Sequence, residues 1–262
     1  MTVVMGILNV TPDSFSDGGR YLDPDAAVAR ALEMEEEGAG ILDIGAESTR
    51  PGHTPLAPDE EWRRLEPVLK RLAGRLRVPI SIDTYHAETA RRAAHYGIAM
   101  VNDVSMLGDP DMPAVVRDHG LRYVLMHTRR EVLPGLPVAA MVEELRRPLA
   151  RLLEAGVPAR DIVVDPGIGF GKTREQDLAC LAEIRRFQAL GHPVLVGASR
   201  KRVVGHALGG APVGDRLAGS LAIVAHACMA GVDIVRVHDV RDSVRVVRMM
   251  EAILAHGGPC AS

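Results

Sequence analysis

Short hydrophobic runs rich in Val and Ile recur along the 262-residue chain and alternate with longer amphipathic stretches. Their hydrophobicity is nearly continuous rather than alternating, as expected of parallel strands that are buried on both faces. Eight such runs occur, at residues 3–8, 41–44, 79–82, 99–101, 123–126, 162–164, 194–196 and 234–237. The pattern therefore predicts eight parallel β-strands.

The stretches between these runs have the pattern of amphipathic helices, as at residues 25–38, 59–76, 87–96 and 141–155. Glycines stand where helices should end, at Gly38, Gly97, Gly120 and Gly156. Strand–helix alternation predicts an α/β fold, and eight repeats predict a closed (β/α)8 TIM barrel, which typically needs ~250 residues. An open doubly wound sheet is the alternative. No linker divides the chain, so we predict a single domain over residues 1–262.

Polar residues follow the carboxyl end of every predicted strand. They are Asn9, Glu47, Ser48, Thr49, Arg50, Asp83, Thr84, Asn102, Asp103, His127, Asp165, Ser199, Arg200, Lys201, Arg236 and His238. In a (β/α)8 barrel these ends converge on one mouth, where active sites lie. We therefore expect a polar pocket there.

Composition narrows the class of protein. Hydrophobic residues make up 47% and charged residues 25%, as in soluble globular proteins, and the net charge of −3 argues against a general nucleic-acid binder. No apolar run approaches the ~20 residues that span a bilayer, and no signal peptide is evident. The three cysteines show no paired spacing, which favours a reducing compartment. We expect a cytoplasmic protein without nucleic-acid or membrane partners.

The stretch DPGIGFGKT, residues 165–173, looks like a phosphate-binding loop but fails the test. A P-loop requires glycine five residues before its Gly-Lys pair, and Pro166 stands there. The glycine spacing also differs from the dinucleotide fingerprint. A strand-to-helix turn is the structural alternative. We predict that Asp165, which would repel phosphate, is the functional residue, and that Lys172 and Thr173 take little part in chemistry.

Seven blocks of residues carry a family signature. They are GILNVTPDSFSDGG at 6–19, ESTRPG at 47–52, SIDT at 81–84, NDV at 102–104, DPGIGFGK at 165–172, SRK at 199–201 and RVHD at 236–239. In this order they resemble the dihydropteroate synthases, the sulfonamide-target enzymes of folate synthesis. The resemblance implies a pterin-binding (β/α)8 barrel. It also implies a reaction that joins p-aminobenzoate to 6-hydroxymethyl-7,8-dihydropterin diphosphate, with release of pyrophosphate and assistance from Mg²⁺.

The resemblance assigns pterin binding to residues whose chemistry suits it. A dihydropterin presents two adjacent N–H donors beside a carbonyl, and the carboxylate of Asp165 can accept from both donors. Asn102 offers a donor and an acceptor, and Lys201 can donate to the carbonyl and a ring nitrogen. Met126 would pack on the ring, and Asp83 would stabilise positive charge that develops on it. A turn role for Asn102 and a solvated role for Lys201 are the structural alternatives.

The leaving diphosphate needs cations and donors. Arg236 and His238 lie two residues apart on one strand, so both can point the same way, and Arg50 could add a bidentate contact. Asn9 would supply an oxygen to Mg²⁺, which keeps waters and bridges phosphate oxygens. We predict that diphosphate leaves before the amine attacks, with Asp83, Lys201, Arg236 and His238 as catalytic residues.

Two long segments, residues 11–22 and 48–58, are rich in Gly, Pro, Ser, Thr and Asp, and we predict that they act as lids. Asp13 and Asp17 are candidates for further Mg²⁺ ligands or for turn residues. The p-aminobenzoate site is predicted to contain Thr49, Pro51, Phe170 and Ser199. A core-packing role for Phe170 is the alternative.

The segment at residues 217–231, rich in Ala, Gly and Ser, predicts a close-packed helix, and the resemblance implies that it joins the last helix in a homodimer interface. Residues 127–135 depart from the usual Met-rich segment of the family, which leaves the fine shape of the pterin pocket open.

Two alternative functions remain. A pterin-binding methyltransferase serving a corrinoid would not need the first block or residues 199–201, and the chain has no room for a cobalamin module. A catalytically silent paralogue should have lost loop or anion-site residues, and none of the matched positions is lost.

Overall fold

The computed structural model describes residues 1–10, 23–47 and 56–256. Its eight strands form one parallel sheet in the order β6-β5-β4-β3-β2-β1-β8-β7. A parallel bridge between Val164 and Val194 joins the two ends of this order, so the sheet closes. The strands are β1 Val3–Asn9, β2 Ile41–Gly45, β3 Ile80–Asp83, β4 Met100–Asp103, β5 Arg122–Met126, β6 Ile162–Asp165, β7 Leu195–Val196 and β8 Ile234–Val237. The predicted (β/α)8 barrel is confirmed.

Helices follow the strands around the outside of the barrel. In the described ranges they are α1 Pro24–Glu37, α2 Pro58–Leu72, α3 Ala87–Ala94, α4 Met112–Asp118, α5 Val138–Glu154, α6 Arg174–Ala182, α7 Arg185–Gln188, α8 Arg202–Ala207, α9 Leu217–Met229 and α10 Val240–His256. Among the described residues, no helix is both long and apolar enough to cross a bilayer.

Local signals in the sequence account for helix boundaries. The side chain of Asp23 accepts a hydrogen bond from the N–H of Asp25 at the start of α1, and Gly38 ends that helix at φ 101°. Helix α6 begins with a reciprocal capping box between Thr173 and Gln176. Thr173 therefore has a structural role at the start of α6.

The interior of the barrel has an apolar floor. Seven of the eight strands contribute to it, through Met5, Ile41, Met100, Val124, Val163, Leu195 and Ile234. Side chains two residues apart on a strand point to the same face. The residues two positions beyond the floor therefore also face inward, and they include Asp43, Asn102, Met126, Asp165 and Arg236. A polar layer thus lies directly above an apolar one.

The same periodicity corrects the predicted mouth. Thr84 and His127 follow strands β3 and β5, and Asp103 is the last residue of β4, but the side chains of all three bond to groups behind the barrel wall. Thr84 donates to Glu61 on α2 (2.9 Å), and Asp103 accepts from Tyr123, which alternates with the inward-facing residues of β5. His127 contacts Glu144 on α5 (2.9 Å). Side chains alternate between the two faces of a strand, so a polar residue at a strand end faces the mouth only when it lies an even number of positions from an inward-facing residue.

Candidate active site

An arginine and two carboxylates form the centre of the polar layer. Arg236 on β8 donates from Nε to Asp43 Oδ2 on β2 (2.5 Å) and from Nη2 to Asp83 Oδ2 on β3 (2.7 Å). Asp43 is fully buried and Asp83 is 7% exposed. Burying three charges is tolerable because the two carboxylates share one planar guanidinium, which offers five N–H donors.

Asp43 also fixes the amide of Asn102. Asn102 Nδ2 on β4 donates to Asp43 Oδ2 at 3.0 Å, so one carboxylate oxygen accepts from two neighbouring site residues. The amide nitrogen of Asn102 is thereby directed into the protein. Its oxygen and the second N–H of the same amide are then the groups that Asn102 can offer to a ligand.

Asp83 lies in an environment that disfavours its charge. Burial raises the pKa of Asp83 to about 7, the guanidinium of Arg236 opposes this rise, and the nearby Asp43 carboxylate adds to it. Asp83 Oδ1 and the neighbouring Asp43 Oδ1 are buried and have no hydrogen-bond partner among the described residues. Gly45 gives Asp83 its space, since a Cβ at Gly45 would lie 3.1 Å from Asp83 Cβ. Asp83 can therefore change protonation state near neutral pH.

Asp165 and Lys201 form a second group on the opposite side of the mouth. Asp165 Oδ1 accepts from the N–H of Gly167 (2.7 Å), and Lys201 Nζ donates to the carbonyl of Ile168 (2.7 Å). Burial raises the pKa of Asp165, and the positive charge of Lys201 opposes the rise. Burial lowers the pKa of Lys201 to about 8, which the Asp165 carboxylate opposes. The carboxylate and the ammonium therefore each stabilise the charged form of the other in a site with little water.

The loop between β6 and α6 covers this group. Lys201 Nζ lies 4.6 Å from the centroid of the Phe170 ring, within the range of a cation–π contact. Gly167 has φ 68°, and a Cβ there would lie 1.9 Å from the carbonyl oxygen of His127. Glycine at this position allows the loop to lie directly against the end of β5. Phe170 is half-buried beside a predicted pterin residue rather than in the core.

Ser199 and His238 lie together at the ends of β7 and β8. The Ser199 hydroxyl accepts from the backbone N–H of His238 (3.2 Å) and contacts His238 Nδ1 (3.1 Å). Between Ser199 and Lys201, Arg200 adopts φ 56° and its guanidinium makes two bonds to the carboxylate of Asp239. This ion pair ties the two strand ends together. Ser199, predicted at the p-aminobenzoate site, is 7% exposed and engaged by a predicted diphosphate residue.

Two further residues predicted to bind substrate or Mg²⁺, Met126 and Asn9, also lie at the mouth. Met126 is 2% exposed at an inward position of β5, as a residue that packs against a flat ring requires. Asn9 is half-buried at the last position of β1, opposite Gly45 in the strand register. Thr49, Arg50 and Pro51, and the loop residues Asp13 and Asp17, lie outside the described residues, so their predicted roles remain predictions.

A cluster behind the wall of β3 has ligand atoms close enough together for a metal ion. Within the described ranges, one group of three acidic or His residues meets this condition, formed by Glu47, Glu61 and His86. Glu61 Oε2 already accepts from the hydroxyls of Thr84 and Thr89 and contacts His86 Nδ1 (3.0 Å). Protein donors thus satisfy the central oxygen, and we assign no ion to this cluster.

Residues 5–238 match the family model described as pterin binding enzyme. The chain is 45% identical to dihydropteroate synthase of Bacillus subtilis (strain 168), over 98% of this chain and 90% of that protein. The chain belongs to the dihydropteroate synthase family. The resemblance in the seven blocks is thus confirmed, and with it the prediction of an enzyme of this kind.

Solved dihydropteroate synthases share the fold closely. The Xanthomonas albilineans enzyme with 4-aminobenzoic acid is 42% identical, with a TM-score of 0.92 over 98% of this chain and 94% of that chain. The same organism's enzyme in complex with 7,8-dihydropteroate is 39% identical, with a TM-score of 0.88 over 98% of this chain and 95% of that chain.

The sequence patterns did not indicate one residue of this dihydropteroate synthase site and one buried lysine beside it. Asp43 was counted only as part of an apolar run, although a carboxylate two positions after an inward-facing Ile is a signal for the barrel interior. Lys172, which is predicted to take little part in chemistry, is 4% exposed and bonded to three backbone carbonyls, so the structure shows a buried packing role that the sequence does not indicate. No pattern in the sequence distinguishes this lysine from a solvated one.

Proposed function

We propose that the enzyme condenses 6-hydroxymethyl-7,8-dihydropterin diphosphate with p-aminobenzoate to give 7,8-dihydropteroate and pyrophosphate. The observation that carries this proposal is the group of polar side chains that meet at the barrel mouth above an apolar floor, namely Asp83, Asn102, Asp165, Lys201 and Arg236. Membership of the family supports it, as do related structures that bind 4-aminobenzoic acid and 7,8-dihydropteroate.

Pterin recognition follows from the donors and acceptors of this group. Asp165 keeps acceptor capacity beyond its bond to Gly167, which suits the adjacent N–H groups of the amino-pyrimidinone edge. Asn102 would accept through its amide oxygen and donate through its second N–H, because the first N–H is bonded to Asp43. Lys201 would donate to the ring carbonyl and a ring nitrogen, and Met126 would pack on the ring face.

In our proposal, the diphosphate leaves before the amine attacks. Positive charge then develops on the pterin, and the Asp83 carboxylate would stabilise it. Arg236 keeps N–H groups beyond those bonded to Asp43 and Asp83, and these, with His238 and Arg50, would bind the departing diphosphate. An Asp83→Asn variant should then lose activity much more than pterin affinity.

We also propose Mg²⁺ as a cofactor, with Asn9 as its protein ligand. An amide oxygen at the half-buried mouth fits the preference of Mg²⁺ for hard oxygen ligands, the others being water and diphosphate oxygens. When bound, the ion would neutralise charge on the diphosphate. Phe170 and Ser199 would line the p-aminobenzoate site together with Thr49 and Pro51 of the second lid segment.

A direct assay tests the proposed reaction. Both substrates are mixed with Mg²⁺, and pyrophosphate release and dihydropteroate formation are measured together. We expect equal amounts of both products with the wild-type protein and a loss of at least about a hundredfold with Lys201→Ala. Lys70→Ala, which removes an exposed lysine on α2, is the matched control and should keep full activity. Folded wild-type protein that forms neither product would refute the reaction.

We propose that the protein is a homodimer formed through α9 and α10. Met229 on α9 and Met249, Ile253 and Leu254 on α10 are each about half exposed or more, and the two helices pack against each other. Sedimentation should give a dimer for the wild-type protein and a monomer for Met249→Glu. Leu178→Glu, which charges an exposed leucine on α6, should remain dimeric.

Cys180 and Cys228 are unpaired and buried, which suits a reducing compartment, so we propose a cytoplasmic location.

A further inference from the structure

Lys172 is a buried lysine that lies outside the polar layer of the barrel interior. Its Nζ donates to the carbonyl oxygens of His127 (3.1 Å), Gly167 (2.9 Å) and Phe170 (3.1 Å). An ammonium group has three N–H donors, and these three acceptors use all of them. Such an arrangement is costly to bury unless every donor is satisfied, so its presence indicates a specific role.

The three carbonyls belong to two separate segments of the chain. His127 follows β5, whereas Gly167 and Phe170 lie in the loop between β6 and α6. The two segments touch closely, because a Cβ at Gly171 would lie 2.1 Å from the carbonyl oxygen of Arg129. Lys172 therefore fastens the turn of the β6–α6 loop to the end of β5.

The same loop orients two groups of the proposed pterin site. Its Gly167 N–H bonds to Asp165, its Ile168 carbonyl accepts from Lys201, and its Phe170 ring lies against the Lys201 ammonium. A displacement of this loop would move all three contacts together. The position of Lys201 thus depends on a tether that lies outside the site.

We propose that Lys172 is a positioning residue, whose three-way bond to backbone carbonyls holds the β6–α6 loop so that Lys201 and Asp165 can bind the pterin. The inference rests on the proposed function for the identity of the ligand. The tether itself follows from the contacts of Lys172 and is independent of that ligand.

A double-mutant cycle tests whether Lys172 acts through Lys201. The affinity for 6-hydroxymethyl-7,8-dihydropterin diphosphate is measured for wild type, Lys172→Met, Lys201→Ala and the double variant. We expect Lys172→Met to weaken binding by roughly tenfold, the effect of misplacing one charge-assisted hydrogen bond. In the Lys201→Ala background, Lys172→Met should weaken binding by clearly less than tenfold, because only the contact of the loop with Asp165 then remains to be positioned.

Stability alone cannot produce this result. Leu65→Ala on α2, a buried core substitution away from the loop, should lower the melting temperature while leaving pterin affinity unchanged. Lys70→Met removes an exposed lysine and should change neither property. Wild-type affinity in folded Lys172→Met, or losses that add fully in the double variant, would overturn the proposal. If Lys172→Met does not fold, Lys172→Gln, which keeps two N–H donors, takes its place in the cycle.

A measurement without ligand separates this proposal from the proposed function. In hydrogen exchange, the amides of residues 167–171 should exchange at least about tenfold faster in Lys172→Met, while those of β8 remain unchanged. Unchanged exchange in residues 167–171 would refute the tether. Faster exchange in Lys172→Met, together with a folded wild-type protein that forms no dihydropteroate, would instead support the tether and refute only the reaction.

Discussion

Replacing Asp43 by Asn gives the sharpest test of the central ion-pair network. The substitution preserves shape but removes the charge that Arg236 Nε and Asn102 Nδ2 share at a single oxygen. Removing one partner of a buried ion pair typically costs about 3–5 kcal/mol. Because Arg236 keeps its second bond, to Asp83, we expect the lower end, about 3 kcal/mol.

This cost is measurable by denaturant and thermal unfolding. At about 2 °C per kcal/mol for a chain of this size, the melting temperature of Asp43→Asn should fall by roughly 6 °C. Ser81→Ala is the matched control, since Ser81 pairs with Asp43 in the strand register and its buried hydroxyl has no hydrogen-bond partner among the described residues. We expect Ser81→Ala to change stability by less than about 0.5 kcal/mol, as for substitutions that break no bond.

Pterin binding should respond in the same direction. Without the Asp43 carboxylate, Asn102 loses a charged acceptor and the orientation of its amide is no longer fixed. Asp43→Asn should therefore weaken pterin binding by about tenfold or more. An Asp43→Asn protein with wild-type stability and affinity would show that the observed network does not organise the site.

Three further predictions follow from the same contacts. The rate constant kcat/KM should have a bell-shaped pH dependence, because Asp83 loses its carboxylate charge as pH falls through about 7 and Lys201 loses its ammonium as pH rises through about 8; a profile flat from pH 6 to 9 would contradict both assignments. Gly167→Ala should cost more than about 1–2 kcal/mol in chemical unfolding, since the left-handed backbone alone accounts for that much and the new methyl would overlap a carbonyl. Tyr123→Phe should cost about 1–3 kcal/mol, because it leaves the buried Asp103 carboxylate without its hydroxyl donor, and equal stability would show that the bond contributes little.

The sequence by itself determined the barrel. The eight apolar runs fall on the eight strands, with shifts of one or two residues at some ends, because continuous hydrophobicity is required of parallel strands covered on both faces. The same local rules predicted where α1 ends, at Gly38. The family blocks likewise marked Asp83, Asn102, Asp165, Lys201 and Arg236, and all of these lie at the mouth.

The tertiary structure decided which polar groups meet. Asp43 and Arg236 are 193 residues apart, and only closure of the sheet between β1 and β8 brings their side chains together. Met126 and His127 are neighbours in sequence, but successive side chains point to opposite faces of the barrel wall. Met126 therefore faces the interior, whereas His127 faces α5. Nothing in the sequence indicates that Lys172 is buried. Its three partners are backbone carbonyl oxygens, which every residue has, so no residue type marks them. Local propensity sets the elements, whereas side-chain partners depend on contacts between distant segments, which only the folded chain specifies.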